Sequence, residues 1–211
     1  PEAVVNFIAL LGWNPKTEQE IFSLDALAEE FDVAKLNKAG AIFDLEKLDW
    51  MNGLYIREKN IKDLVELCRP YLAEYEEKLS GEYLQKIVSV ERERMKKLSD
   101  IAENTEFYFD APEYDKKILK WKEMSDDDLQ KSLQKSLEIF SGTEEGDWTL
   151  DNIKDKLMAV ADPKNRGELL WPLRVALTGK EKSPSPWEVA WVIGKEESVK
   201  RISSAIELAK N

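Results

Sequence analysis

The amino-acid sequence predicts an all-α protein made of small helical modules. Across the 211 residues, apolar side chains recur every three or four positions, as on one face of a helix. The strict alternation typical of a half-buried strand is scarce. Residues that cap helices stand directly before most of the apolar patterns, and breaks containing proline or glycine separate them. Together these features favour helices joined by short loops.

The first half of the chain carries a succession of such patterns. Pro1 opens the first helix and Gly12 ends it, because proline suits the first turn of a helix and glycine suits its end. Three more helices are predicted by the residues that can cap them, namely Ser23, Asp44 and Asn60. Pro70 ends or bends the last of these. A long pattern then covers residues 82–98, and Ser99 caps a short segment after it.

The second half begins after a break at Asp110-Ala-Pro112, which is a candidate domain boundary. Ser125 stands before three aspartates, and this indicates a helix start because negative charge is favourable at a helix N-terminus. Thr149 caps the next helix, and Pro172 predicts a kink in the one after it. The helices predicted in this half cover residues 126–140, 150–160, 165–178 and about 196–210.

The composition indicates a folded, soluble protein with few catalytic side chains. Hydrophobic residues make up 43% and charged residues 35%. No apolar run approaches the ~20 residues that span a membrane. The absence of histidine argues against a zinc site and a Cys–His pair, and the lone Cys68 excludes an internal disulfide and suits a reducing cytoplasm. Ser–Lys or paired-carboxylate catalysis stays open. The start at Pro1, without a signal peptide, indicates processing or a piece of a longer protein.

The charge is distributed unevenly along the chain. The net charge is −11, which argues against nucleic-acid binding if the charge were uniform. Residues 151–211, however, contain 11 basic and 9 acidic residues, whereas the remainder contains 20 basic and 33 acidic ones. The C-terminal segment is therefore slightly positive, and this weakly supports a role for it in contacts with an anion.

The first candidate binding site lies around residues 165–187. Trp171 and Arg174 share one ridge of the predicted helix, at the end nearest the polar loop S-P-S-P, 183–186. An arginine beside a tryptophan can stack on an unstacked base, and a proline-stiffened backbone can contact a base edge without reorganising. Ordinary roles explain the same residues: Arg174 pairs with a carboxylate, Trp171 fills a crevice and Pro186 starts the next helix. Composition alone favours the ordinary roles.

Two other segments are also candidates. Arg94 lies close to the apolar stripe of the 82–98 pattern. It either pairs with Glu91, three residues earlier, or stands at the edge of a binding surface. The turn Asn37-Lys38-Ala39-Gly40 offers a flexible basic loop before an amphipathic helix, or merely a solvated face of a helical hairpin.

Several segments follow one another in an order typical of one family. They are PEAVVNFIALLGWNP, IFSLDAL, KLNKAGAIFDLEKLDWMNGLYIR, WPLRVALTG, SPSPWEV and IGKEESVKRI. In this order they resemble the bacterial-type glutamyl-tRNA synthetases, most specifically at AIFDLEKLDWMNGLYIR and LRVALTG. The resemblance covers essentially the whole chain. It implies the C-terminal, tRNA-binding part of a class I glutamate–tRNA ligase, whose ATP and Mg²⁺ belong to an N-terminal catalytic domain that this chain lacks.

The resemblance implies three helical domains and one partner, glutamate tRNA. Residues 1–58 are expected to be the stem-contact domain, with Asn37 and Lys38 toward the tRNA stem. Residues 59–112 and 113–211 are expected to be the two parts of a helical anticodon-binding cage. The residues implied at the anticodon are Arg94, Arg174, Ser183, Pro184 and Pro186, and Trp171 is expected there from its position beside Arg174. We expect a cytoplasmic monomer that has no cofactor or metal of its own, does not bind DNA or membranes, and is inactive alone. The alternative is an acidic, all-helical adaptor for protein partners.

The role implied for Arg94 has a simple chemical basis. In family members that are strict for glutamate tRNA, an arginine at this position faces the third anticodon base, which is cytosine in glutamate tRNA and guanine in glutamine tRNA. Cytosine presents O2 and N3 as acceptors, which match a side chain that only donates. Guanine presents N1–H and N2–H₂, so donors would face donors, at a cost of ~1–3 kcal/mol. Arg94 therefore predicts discrimination in favour of glutamate tRNA.

Overall fold

The computed structural model describes residues 1–36 and 42–210. For Asn104 it describes the backbone but not the side chain. Within these residues the chain forms α-helices joined by turns and short 3-10 segments, with no β-strand. An isolated antiparallel bridge pairs Trp13 with Leu36. The prediction of an all-α fold is confirmed.

The α-helices follow one another along the chain with short connections. In chain order they are α1 (Glu2–Gly12), α2 (Leu24–Glu30), α3 (Leu45–Glu58), α4 (Ile61–Cys68), α5 (Gly81–Glu91), α6 (Asp100–Asn104), α7 (Glu106–Phe109), α8 (Asp126–Ser141), α9 (Leu150–Val160), α10 (Gly167–Thr178), α11 (Pro186–Ile193) and α12 (Lys195–Lys210). The 3-10 segments are Val33–Lys35, Arg69–Lys78, Lys116–Leu119 and Glu145–Asp147. None of the helices within the described residues is long and apolar enough to cross a membrane.

Five of the predicted N-caps are confirmed, and the cap predicted at Ser99 stays a prediction. Cap side chains accept hydrogen bonds from backbone N–H groups in the first turns of α2, α3, α4, α8 and α9; they are Ser23, Asp44, Asn60, Ser125 and Thr149. Each cap satisfies donors that a helix start leaves without an intrahelical partner. The three aspartates after Ser125 lie in the first turn of α8, at the positive end of its dipole. The local sequence therefore determines these helix starts.

The helix predicted over residues 82–98 is shorter than its apolar pattern indicates. α5 ends at Glu91, and residues 92–94 form a turn in which the N–H of Arg94 donates to the carbonyl of Glu91 at 2.8 Å. One carboxylate oxygen of Asp100 then accepts the N–H groups of Lys96 and Lys97, at 2.8 and 2.9 Å. These bonds stabilise a reversal of the chain after α5. Arg94 consequently lies on a turn and not on a helix face.

The described chain divides into two compact units. The first comprises Pro1–Glu74 and Glu91–Ile101, and the second comprises Tyr75–Val90 and Ala102–Asn211. The chain thus crosses between the units three times. The boundary expected after residue 58 rests on the family resemblance, and that after residue 112 rests on the Asp110-Ala-Pro112 break as well. Both stay predictions.

A buried asparagine organises the first unit. Asn6 on α1 is fully buried, and its Nδ2 donates to the carbonyl of Glu20 at 2.7 Å. Its Oδ1 accepts from the N–H of Phe22 at 2.7 Å and from the hydroxyl of Tyr55 at 2.9 Å. Tyr55 lies on α3, so a single amide connects two helices to the extended segment before α2. The hydrophobic cluster beside this network contains Trp13, Phe22 and Leu27.

Three helices form the main body of the second unit. α12 packs along α8, and α10 packs against both. Side chains with no exposed surface fill the space between them; they include Leu133, Phe140, Leu173, Leu177 and Ile202. α11 packs against α9 and α10 at the side of this body. The loop between α10 and α11 is therefore carried by packed helices at both ends.

Pro172 lies inside α10, and a serine from α8 compensates for its missing N–H. In a regular helix the N–H of residue 172 would donate to the carbonyl of Glu168, four residues earlier. Proline has no such donor, so this carbonyl loses its helical partner. The hydroxyl of Ser132, 8% exposed, donates to the Glu168 carbonyl at 2.7 Å. The helix runs without interruption from Gly167 to Thr178.

Replacing Ser132 with alanine is expected to lower the free energy of unfolding by about 0.5–1.5 kcal/mol, because a part-buried hydrogen bond to the Glu168 carbonyl is lost. The measurement is the urea midpoint. Ser204→Ala is the matched control, since the Ser204 hydroxyl donates only to the carbonyl four residues earlier on an exposed face of α12. Equal midpoints for the Ser132 variant and the wild type would show that the freed carbonyl needs no donor from α8.

Cys68, at the end of α4, is a buried thiol. It has no exposed surface, and burial raises its pKa from 9.0 to about 12. We expect no labelling by a small disulfide reagent at pH 8 until urea unfolds the protein, since the thiolate is the reactive form. Because the folded state keeps the proton and the unfolded state releases it, stability should fall as the pH rises from about 9 towards 12. Rapid labelling of the native protein would contradict this assignment.

Candidate nucleic-acid interface

The corner between α10 and α11 begins at a glycine that the backbone requires. Gly179 ends α10 with φ of +67°, and its N–H donates to the carbonyl of Val175 at 2.7 Å. A left-handed conformation is costly for residues with a Cβ. A Cβ at this position would also lie 2.8 Å from the Cβ of Pro112. The chain can therefore leave α10 at this sharp angle only with glycine at position 179.

The far side of the corner is fixed by the start of α11. The side chain of Ser185 caps the first turn, and the N–H of Ser185 donates in return to the Glu188 carboxylate at 2.7 Å. This reciprocal pair is a capping box. Pro186 occupies the first helical position, where its missing N–H costs nothing. The expectation that Pro186 starts the helix is confirmed.

Arg174 connects α10 to the loop. Its Nη1 lies 2.5 Å from the carbonyl oxygen of Ser183, 2.8 Å from that of Pro184 and 3.1 Å from the Ser183 hydroxyl. The hydroxyl itself donates to the Pro184 carbonyl at 2.9 Å. Arg174 is half-buried. The sequence places this arginine one turn before the helix end, and the structure shows that the loop backbone is among its partners.

The predicted loop residues are brought together, but their side chains are covered. Ser183, Pro184 and Pro186 are all buried. The surface of the corner is formed instead by the exposed Glu181 and Lys182 and by the half-buried Ser185. Sequence reasoning missed Lys182, although a lysine directly before a proline-stiffened loop was a visible signal for an exposed cation.

Trp171 occupies a different part of α10 from the loop contacts of Arg174. Its indole N–H donates to the carbonyl of Ile118 at 2.9 Å, and its ring lies 5.1 Å from that of Trp121 at 46°. The Trp121 ring in turn packs so close to Gly167 that no space is left for a Cβ there. Trp171 is half-buried. Trp171 therefore fills a crevice, as the ordinary role predicted, and the residue stays partly accessible.

Arg94, in the first unit, lies on its turn near a buried carboxylate. Its side chain is 45% exposed, and its Nε lies 3.9 Å from Oε2 of Glu91, whose side chain is 2% exposed. The pairing that the sequence suggested is present, at a long distance. Arg94 therefore lies beside a buried acid while much of its side-chain surface is exposed.

The turn that carries Arg94 is held by neighbours in the same unit. Asn52 on α3 donates to the carbonyl of Lys96 at 2.6 Å, and Lys97 pairs with Asp49 at 3.3 Å. Gly53 lets the backbone approach α3, since a Cβ there would lie 3.2 Å from the carbonyl oxygen of Met95. With the Asp100 carboxylate on its other side, the turn is fixed from both ends. Asn37 and Lys38 lie outside the described residues.

A family model described as "Anticodon binding domain" matches residues 63–206. The chain belongs to this family. A second model, the catalytic domain of class I tRNA synthetases for E and Q, matches residues 1–50. This anticodon-binding family member is 41% identical to a glutamate–tRNA ligase of Clostridium botulinum over 99% of its length and 44% of that protein. It is 36% identical to the ligase of Bacteroides fragilis over 100% of its length and 41% of that protein.

Solved structures of glutamate–tRNA ligases share the fold of this family member. The ligase of Elizabethkingia meningosepticum, in complex with its amino acid, matches with a TM-score of 0.81 and 34% identity over 98% of this chain and 41% of that one. That of Elizabethkingia anophelis matches with a TM-score of 0.78 and 32% identity. The chain spans about two fifths of the length of these relatives. The predicted resemblance to glutamyl-tRNA synthetases is confirmed.

Proposed function

We propose that this chain binds glutamate tRNA, at its anticodon and stem, as part of a glutamate–tRNA ligase. The complete ligase attaches glutamate to the tRNA with ATP. The observation that carries the proposal is the match of residues 63–206 to the anticodon-binding family, in a chain whose relatives are named glutamate–tRNA ligases over nearly its full length. No comparison favours the alternative of a protein adaptor.

The family resemblance supports the assignment of a different part of the tRNA to each segment of the chain. Residues 1–58 contact the tRNA stem, with Asn37 and Lys38 among the contacts, and residues 59–112 and 113–211 bind the anticodon. ATP and Mg²⁺ act in a catalytic domain of which residues 1–50 match only one part. These 211 residues alone therefore bind tRNA without charging it, as a cytoplasmic monomer.

The geometry of Arg94 supports its proposed contact with the third anticodon base. A guanidinium that is 45% exposed, on a turn whose backbone is held by neighbouring side chains, is accessible to the acceptor edge of a base. The buried Glu91 carboxylate lies 3.9 Å from its Nε. The proposed site for the first two bases is built by Arg174, Ser183, Pro184, Pro186 and Trp171, of which the three loop residues are buried and support its surface.

The acidic composition limits where RNA can bind and how strongly the binding depends on salt. With a net charge of −11, most of the surface repels RNA, so contacts are restricted to limited basic regions. Binding should weaken steeply with salt, because each phosphate contact releases counterions. We therefore expect weaker binding than that of the complete enzyme.

The test is a filter-binding titration with glutamate tRNA at two salt concentrations, alongside a tRNA of unrelated anticodon. The proposal predicts saturable, salt-sensitive binding that favours glutamate tRNA, and no aminoacylation by these residues alone. Absence of any binding at low salt would reject it and leave the adaptor interpretation.

A further inference from the structure

The loop at residues 182–185 has few donors of its own. Pro184 has no N–H, and neither has Pro186, which follows the loop. The N–H of Ser185 is already donated to Glu188. The carbonyls of Ser183 and Pro184 belong to buried residues, and a buried carbonyl without a donor costs about 1–3 kcal/mol. The Ser183 hydroxyl donates to the Pro184 carbonyl at 2.9 Å, and another donor comes from outside the loop.

One nitrogen of Arg174 supplies this donor. An Nη group carries two hydrogens, and the two shortest contacts of Nη1 are those to the Ser183 and Pro184 carbonyls, at 2.5 and 2.8 Å. Hydrogen bonds from a charged donor are roughly twice as strong as those between neutral groups. The two carbonyls belong to consecutive peptide groups, so the guanidinium fixes the orientation of both groups.

We propose that Arg174 is a positioning residue, which acts on RNA by holding the 183–184 backbone in its binding conformation. This inference rests on the proposed function. Within that site it assigns RNA contact to the loop and support of the loop to Arg174. The fixed loop, with the exposed Lys182 and the half-buried Ser185 at its surface, meets the RNA. Arg174 holds the loop through the hydrogen bonds that its Nη1 donates to the Ser183 and Pro184 carbonyls.

The geometry distinguishes Arg174 from a simple cation. A guanidinium presents its hydrogens in a planar, fixed fork, whereas a lysine ammonium is a strongly hydrated point charge on a flexible stem. Lysine at position 174 keeps the positive charge but loses the planar set of N–H donors. If Arg174 positions the loop, Arg174→Lys should loosen the loop even though the net charge is unchanged.

The first measurement uses no RNA. Hydrogen–deuterium exchange of the Ser183 and Ser185 amides should become about tenfold faster in Arg174→Lys, while exchange in the cores of α8 and α12 stays as in the wild type. Arg166→Lys is the matched control, because Arg166 is exposed at the other end of α10. Arg174→Gln, which keeps an NH₂ donor without charge, is measured alongside as a second variant in case the lysine variant does not fold.

The second measurement is binding to glutamate tRNA and to three variants with each other base at the first anticodon position. Positioning predicts that Arg174→Lys weakens binding to all four RNAs by a similar factor, about tenfold, and that Arg166→Lys changes none of them. Unchanged loop exchange, or a loss confined to one first base, would overturn the inference in favour of direct base contact by Arg174. If the wild type binds no tRNA, the proposed function fails, and the exchange result still decides whether Arg174 holds the loop.

Discussion

Replacing Arg201 with methionine is expected to lower the free energy of unfolding by about 3–5 kcal/mol, the largest stability effect that we expect from a single substitution. Arg201, on α12, is only 5% exposed. Its Nη1 donates to the carbonyls of Phe107 and Leu177 at 2.6 and 2.7 Å, and its Nε donates to Glu197 at 2.8 Å. Methionine fills similar space but leaves the two buried carbonyls without donors.

Lys200→Met provides the matched control for this prediction. Lys200 is the preceding residue on α12, is 71% exposed and pairs with the same Glu197 at 3.5 Å. A surface pair of this kind contributes at most about 1 kcal/mol. Urea midpoints of both variants give the comparison. If the Arg201 variant were no less stable than the Lys200 variant, the buried arginine would not be a significant connection between α7, α10 and α12.

Replacing Arg94 with glutamine is expected to remove discrimination at the third anticodon base, the largest functional effect that we expect from a single residue. Arginine only donates, whereas a glutamine amide can turn to donate or accept. Removing the donor–donor conflict with guanine should strengthen binding of the guanine RNA by one to two orders of magnitude relative to the cytosine RNA. The ratio of the two dissociation constants measures this directly.

Arg92→Gln is the control for the Arg94 variant. Arg92 begins the same turn, has a side chain that is 36% exposed and pairs with Glu93 at 3.5 Å. It carries the same charge, so its replacement tests the effect of charge alone. Both variants should weaken binding at low salt, but only Arg94→Gln should alter the ratio between the two RNAs. The same change of ratio in both would assign the selectivity to charge.

Helix starts could be predicted from the sequence because the causes are local. Ser125 and Thr149 contact backbone groups within three residues, so the cap can be identified without knowledge of the fold. The all-α class follows from the same short-range periodicity. The arginine of PLRVALTG and the S-P-S-P loop were also identified as neighbours from their spacing, and the structure brings them together.

Features that depend on distant residues could not be predicted in this way. The apolar pattern through residues 82–98 continues past Glu91, but Asp100 and Asn52 stabilise a turn instead. Ser132 compensates for Pro172 from a different helix, and Arg201 contacts a carbonyl 94 residues away. These partners are set by packing, which periodicity does not describe. For the same reason, burial of the predicted loop residues became evident only in the structure.

The role of Arg94 is tested most sharply by a binding titration of the wild-type protein with two glutamate tRNAs that differ only at the third anticodon base. A donor-only side chain on a fixed turn predicts that the cytosine form binds at least about ten times more tightly than the guanine form at the same salt concentration. Equal dissociation constants for the two RNAs would contradict it.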